Sequence, residues 1–174
     1  VLAATAVAVE FEIPLDAIAA RAARLRPSDR RGAVRRLRGG VMLVDDSYNS
    51  SPSALKRALD VIANEPRAVR KVAVLGEMLE LGAFSSDLHR DAGRAAAAAG
   101  LNALFVVGGV PARELGEAAI AAGMSPASVS YFEQSVTAAP QIAAVLSSGD
   151  VVLVKGSRGT RTDIIADRIA EVFG

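Results

Sequence analysis

Val41-Met42-Leu43-Val44-Asp45-Asp46-Ser47-Tyr48-Asn49-Ser50-Ser51-Pro52 is the stretch from which the fold can be read. Its apolar start, Val41 to Val44, describes a strand buried on both faces, the kind found inside parallel sheets. Two carboxylates end the run and small and amide residues follow. Pro52 then suits the first turn of a helix, with Ser51 before it as N-cap. A strand that stops in polar residues and turns into a helix is half of a strand–helix–strand unit. In an open α/β sheet the C-terminal edge of such strands is where ligands collect.

The same alternation continues downstream. Leu55, Ala58, Leu59, Ile62 and Ala63 give the helix after Pro52 one buried stripe. Val72–Leu75 reads as a strand, and Ser85 or Ser86 opens an Ala-rich helix that closes at Gly100. Ala103–Val107 is a strand ending in Gly108-Gly109, and 111–122 a helix closed by Gly123. Val129–Phe132 is a short strand, 136–146 a helix, and Val151–Val154 a strand that leads through a glycine loop into helix 162–172. Upstream, Val34–Leu37 and Val41–Val44 flank Gly39-Gly40, a hairpin signal, so the first strand runs antiparallel to its neighbour. The expected class is α/β: a Rossmann-like, mixed, mostly parallel six-stranded sheet with helices on both faces.

A short helical segment precedes it. Residues 2–11 read as the end of a helix, Ile13-Pro14 breaks it, and Leu15 to Leu25 reads as a second helix with Leu15, Ile18, Ala19, Ala22 and Leu25 on one face. Such a hairpin cannot bury both apolar faces alone. It either caps the main domain or, the reading preferred here, is the remnant of a preceding domain. Residues 26–33 have the composition of a linker, which leaves 34–174 as the main domain. The absence of an initial methionine hints at a start inside a longer protein. The apolar opening lacks the basic flank of a signal peptide and is too short to span a membrane.

Composition narrows the function. Of 174 residues, 51% are apolar and only 4% aromatic, and the formal net charge of +1 provides no field to recruit nucleic acid or anionic membrane. With no cysteine, disulfides and thiolate metal sites are excluded, and with a single histidine no nucleophile–histidine–carboxylate triad can be assembled convincingly. The pattern G-x-x-x-x-G-K-[ST] is absent, as is G-x-G-x-x-G.

Three segments could carry chemistry. Asp45 and Asp46 are adjacent on a strand and point to opposite faces, so they do not form an acid/base pair. One of them can face the crevice, where a carboxylate suits ribose hydroxyls or a metal, with Asn49 adding an amide. An Asx-type turn feeding a helix accounts for the same residues. After the next strand, Glu77 sits at the crevice rim, either as a functional group or as an ordinary loop charge. His89 falls in the first turn of a helix, where a neutral imidazole is favoured; a capping or core role and a ligand role are both open. Last, Val154-Lys155-Gly156-Ser157-Arg158 delivers cations, hydroxyls and a glycine turn to a helix N-terminus, as an anion site requires, or as a basic solvated loop would. An arginine-rich strip from Arg26 to Arg38 is either a solvated charge run or faces phosphate.

The spelling of these segments resembles one family. Asp45-Asp46-Ser47-Tyr48-Asn49-Ser50-Ser51-Pro52 is similar to the Asp-Asp-Ser-Tyr-Asn-Ala-Asn-Pro motif of the D-alanyl-D-alanine-adding Mur ligases, the MurF family, with Ser50-Ser51 in place of Ala-Asn. Gly76-Glu77-Met78-Leu79-Glu80-Leu81-Gly82 resembles the family's Gly-Asp/Glu-Met-x-Glu-Leu-Gly, with His89 matching the histidine that follows. Val154 to Arg158 matches its Val-Lys-Gly-Ser-Arg. The resemblance implies that 34–174 is the C-terminal domain of such a ligase, 26–33 the interdomain linker, and 1–25 the last helices of a central ATPase domain.

It further implies a cytoplasmic, monomeric, three-domain enzyme of peptidoglycan synthesis. Such an enzyme joins D-alanyl-D-alanine to UDP-N-acetylmuramoyl-tripeptide, with ATP activating the tripeptide carboxylate as an acyl phosphate. By the same resemblance, Asp46 and Asn49 contact the ribose side of ATP, and Arg31 approaches the phosphates or purine, although Arg30 stands where the family has glycine. Lys155, Ser157 and Arg158 line the face that meets the dipeptide, and Glu77 and His89 support them. Mg2+ is expected to be held mainly by the central domain, so no catalytic residue and no metal ligand is assigned to this chain, which alone is expected to be inactive. Besides its substrates, the expected partners are the parent's own N-terminal and central domains, with no nucleic acid and no membrane insertion. A related amide ligase of the folylpolyglutamate type, or a free-standing nucleotide-binding module, are the alternatives.

Overall fold

A computed structural model describes residues 2–25 and 28–174. Arg26 and Pro27, part of the expected linker, lie outside the described residues. Helices α1 (Leu2–Glu10) and α2 (Leu15–Ala22) form the expected hairpin around Ile13-Pro14. Neither helix has a buried residue, and Leu2, Phe11 and Leu15 are among the most exposed apolar side chains of the chain. Helix α2 ends at Ala22, short of the expected Leu25, because the backbone leaves in a turn at Ala23.

Strands β1 (Ala33–Arg36) and β2 (Met42–Asp46) pair antiparallel from Ala33↔Asp45 to Arg36↔Met42. Gly39 and Gly40 make the reversal at φ 67° and 72°, a region open to glycine at little cost. The chain then alternates as expected: α3 (Pro52–Ala63), β3 (Arg70–Gly76), α4 (Ser85–Ala98), β4 (Ala103–Val107), α5 (Val110–Ala121), β5 (Val129–Phe132), α6 (Ser135–Val145), β6 (Asp150–Lys155) and α7 (Asp163–Phe173). The sheet order is β1-β2-β6-β3-β4-β5, with every pair but the first parallel. This is the six-stranded, mixed, mostly parallel sheet that the pattern foretold. Among the described residues no helix is long and apolar enough to cross a membrane.

The pleat sorts the core into two layers. Met42, Ala73, Leu75, Leu104, Val106, Val151 and Leu153 face α3, α4 and α5, while Val41, Leu43, Val72, Val74, Phe105, Val107, Val152 and Val154 face α6 and α7. Each buried large aliphatic side chain contributes about 1.5–3 kcal/mol relative to exposure. Helices α4 and α5 approach so closely at Gly93 that a Cβ there would lie 2.2 Å from the Leu115 carbonyl oxygen. On the α3 side nothing among the described residues covers the β1 edge, where Val34 and, across on α3, Val61 remain exposed.

Two local expectations change. Ser51 occupies the N-cap position of α3, but its hydroxyl makes no capping bond; its carbonyl instead accepts the Leu55 N–H. The loop after β6 does not run straight into a helix. A single 3-10 turn, Arg158–Thr160, and a left-handed Arg161 (φ 55°) intervene before α7.

Candidate functional site

The C-terminal ends of β2 and β6 lie side by side, with Asp46 paired in register with Lys155. The pleat separates the two carboxylates as expected. Asp45 is buried and its Oδ1 accepts the Ser47 N–H at 3.2 Å and the Ser47 hydroxyl at 2.5 Å, the Asx-type turn that was one of the two readings of this segment. Asp46 emerges on the α3 side, where its Oδ2 accepts the Lys155 ammonium at 2.6 Å. The same ammonium donates to the Asn49 carbonyl at 3.0 Å. Oδ1 of Asp46 has no partner among the described residues, and Asp46 lines a groove of about 640 Å³. The groove runs between β1–β2 and α3. Its floor is Val34, Met42, Val44 and Ala58, and Arg31, Arg36 and Arg57 stand on its rim.

Asn49 is exposed, and its Oδ1 accepts the Ser50 N–H at 2.8 Å, which leaves its Nδ2 amide group available. Tyr48 supplies a wall that the sequence reading did not include among the site residues. The Arg31 guanidinium lies 3.9 Å from its ring centroid and that of Arg158 lies 5.7 Å away. Arg31 lines the groove and Tyr48 a second cleft of about 540 Å³, so their stack divides the two. That cleft is bounded by Asp29, Arg30, Ser47, Tyr48, Arg158, Arg161 and Asp163.

The linker is built into this wall. The Arg30 carbonyl accepts the Tyr48 N–H at 2.9 Å. Arg30 itself is left-handed, φ 62°, the conformation that glycine adopts without strain. Its guanidinium pairs with Asp163 at 2.9 Å and Asp167 at 3.0 Å on α7. A left-handed non-glycine residue costs roughly 1–3 kcal/mol and needs surroundings that hold it. The two ion pairs and the Tyr48 bond supply them.

Lys155 and Ser157, expected on a substrate-facing surface, are buried at 2% and 3% exposure. Lys155 therefore does not join Arg158 around a shared anion; its charge is committed to Asp46. The Ser157 hydroxyl accepts the Leu79 N–H at 2.9 Å. Only Arg158 of the three is exposed.

Glu77 and His89 make their hydrogen bonds in and around the loop after β3. The Glu77 Oε2 accepts the Gly109 N–H at 2.7 Å, its carbonyl accepts the Ser157 N–H, and its own N–H bonds the Val107 carbonyl. Glu77 thus ties together the ends of β3, β4 and β6, and Gly108, at φ 141°, gives it room, since a Cβ there would lie 2.7 Å from that of Glu77. His89 is fully buried. Its Nε2 accepts the Met78 N–H at 2.9 Å while Nδ1 sits 2.7 Å from the Ser85 carbonyl. A ring protonated on Nδ1 satisfies both contacts, although His89 is the fifth residue of α4 and so lies beyond the first turn in which the sequence placed it. Among the described residues no cluster of three or more His, Asp or Glu side chains is placed to hold a metal ion.

Residues 30–158 match the family model described as "Mur ligase, glutamate ligase domain". The chain belongs to the Mur ligase family. It is 35% identical over 185 aligned positions to the UDP-N-acetylmuramoyl-tripeptide--D-alanyl-D-alanine ligase of Mycobacterium bovis, covering 97% of this chain and 36% of that protein. Its fold superposes on the MurF ligase of Thermotoga maritima in complex with ADP with a TM-score of 0.70, at 27% identity over 86% of this chain and 32% of that one. A second MurF, from Acinetobacter baumannii, gives a TM-score of 0.77 over 97% of this chain and 36% of that one; at 24% identity this likeness is one of fold. The Mur ligase domain seen here thus spans about a third of the length of these proteins.

Proposed function

We propose that this chain is the C-terminal part of an ATP-dependent ligase that joins D-alanyl-D-alanine to UDP-N-acetylmuramoyl-tripeptide in peptidoglycan synthesis, and that it contributes one wall of the nucleotide site. The observation that carries the reading is Asp46. One of its oxygens is fixed by Lys155 and the other is unshared at the mouth of a groove, the arrangement a carboxylate needs to accept a ribose hydroxyl. Asn49 adds a free amide, and Arg31, stacked on Tyr48, stands on the same rim to meet purine or phosphate. The ADP carried by the Thermotoga protein, with which this chain shares its fold, supports a nucleotide as ligand.

On the other side of Tyr48, Arg158 and Arg161 face the second cleft. Their guanidinium groups suit a dipeptide carboxylate, which they would hold by charge-assisted bonds. In this reading residues 1–25 close the central ATPase domain, whose remainder would cover the exposed apolar faces of α1 and α2, and 26–33 is the hinge. The bound nucleotide would supply phosphoryl activation of the tripeptide carboxylate, with Mg2+ held by the central domain. The residues of this chain bind, orient and exclude water. The parent enzyme would act as a monomer in the cytoplasm, where its nucleotide and UDP-sugar substrates are.

Calorimetry with ADP tests the reading directly. Asp46→Asn removes a charged acceptor, a loss of about 1.5–3 kcal/mol, so affinity should fall about 10- to 150-fold. Equal affinities for the two proteins would remove Asp46 from the site.

A further inference from the structure

Lys155 is the most thoroughly buried cation of the site. It sits at the last position of β6 with 2% of its surface exposed, and it lines neither the groove beside Asp46 nor the cleft beyond Tyr48. Its ammonium makes two contacts from one point, to Asp46 Oδ2 at 2.6 Å and to the Asn49 carbonyl at 3.0 Å. These two acceptors lie on either side of Ser47 and Tyr48, at the end of β2 and in the turn before α3. One side chain from a neighbouring strand therefore fixes both ends of the turn that carries the ligand groups. The register makes this possible: Asp46 and Lys155 are lateral neighbours in a parallel pair, pointing to the same face.

We infer that Lys155 is a positioning residue for the sugar of the nucleotide, acting through Asp46 and Asn49 and never touching ligand or substrate. This inference rests on the nucleotide reading of Asp46. Its first effect is geometric. With Oδ2 held, the carboxylate cannot rotate, and the unshared Oδ1 is the atom presented to the groove. Its second effect is electrostatic. A bare carboxylate beside a polyphosphate would repel it, whereas an Asp46–Lys155 pair is locally neutral and still offers an acceptor. Its third effect is to order the Tyr48–Asn49 turn, so that the Asn49 amide and the Tyr48 ring keep one arrangement.

The test compares affinities of this chain for ATP and for 2′-deoxy- and 3′-deoxy-ATP by NMR titration, in the wild type and in Asp46→Asn, Lys155→Met and Lys155→Arg. Wild type should prefer ATP over the poorer deoxy analogue about tenfold. Lys155→Met should bring that ratio close to one, and Lys155→Arg, which keeps a charged donor, should restore part of it. A loss of stability alone lowers all affinities together and leaves the ratio unchanged. In unmodified protein the Lys155 15Nζ signal should be visible, as befits a sequestered ammonium, and should move on addition of adenosine but not of pyrophosphate. This second measurement holds even if a variant fails to fold. If Asp46→Asn loses the preference while Lys155→Met keeps it, or if the Lys155 signal ignores adenosine, the positioning role is overturned and the nucleotide reading stands. If wild type binds no adenine nucleotide or ignores the sugar hydroxyls, the nucleotide reading falls and the role of Lys155 falls with it.

Discussion

Replacing His89 by leucine tests whether a buried imidazole, rather than the loop's own sequence, holds the segment after β3 in place. His89 is 0% exposed and its Nε2 is the acceptor for the Met78 N–H at 2.9 Å. Leucine fills a similar space but leaves that amide with no acceptor in a site closed to water, at a cost of about 1–3 kcal/mol. The apolar contacts of the new side chain return part of it, so a net loss of about 1–2 kcal/mol is expected. For a chain of this length that lowers the melting temperature by roughly 2–8 °C. The sharper readout is local. Hydrogen exchange at the Met78 amide should accelerate far more than at Val74 in the middle of β3. His89→Gln, whose Oε1 reaches about as far as Nε2, should recover much of the protection. A Met78 amide that exchanges as slowly in His89→Leu as in the wild type would refute the reasoning.

Three further outcomes are expected. Gly93→Ala should destabilise even though alanine is the better helix former by about 1 kcal/mol. The added Cβ meets the Leu115 carbonyl oxygen at 2.2 Å, and overpacking of this kind costs about 1–3 kcal/mol, so scanning calorimetry should show a lower melting temperature, not a higher one. Tyr48→Leu should change global stability by no more than about 1 kcal/mol, yet it should free the Arg31 guanidinium, seen as a shift and narrowing of its 15Nε signal. Glu65 should titrate below the usual carboxylate range because the Arg67 side chain hydrogen-bonds its charged form, with a further bond from the Arg67 backbone. A lowered folded value means that this contribution is present above the ordinary carboxylate pKa and is lost as pH falls through the folded value; a 13C titration of the Glu65 carboxyl checks the direction.

Much of this architecture is legible in the chain. Ala103–Val107 and Val129–Phe132 are read to the residue: the first is a continuous apolar run between Asn102 and Gly108, the second a valine- and aromatic-rich stretch between Ser128 and Glu133. The antiparallel start follows from Gly39-Gly40, and the separation of Asp45 from Asp46 from the pleat alone. What the chain does not spell out is lateral neighbourhood. Lys155 looks like a free loop cation until β6 is known to insert beside β2; only then does the alternation Val151, Leu153, Lys155 aim its ammonium at Asp46. That same alternation, which separates Asp45 from Asp46 on β2, is the signal for it on β6. The role of Tyr48 is hidden for a similar reason. An aromatic in a polar turn was a visible oddity, but the stacking of Arg31 depends on a linker whose path comes from Arg30. Ser51 shows the converse: Pro52 sets the helix start by itself, so the position is right although the hydroxyl is idle.

Arg30 has a mechanical consequence. The left-handed residue is clamped to Asp163 and Asp167 on one side, and through its carbonyl to the Tyr48 amide on the other. The strand-entry segment is therefore not a loose swivel but a crank pinned at two points. A torque applied by anything upstream of Arg30 reaches the Tyr48 turn after a single peptide unit, before it can dissipate in the sheet. Movement of the entry segment and the shape of the groove wall then form one degree of freedom, and the start of α7, from Asp163 to Asp167, is the bearing on which it turns.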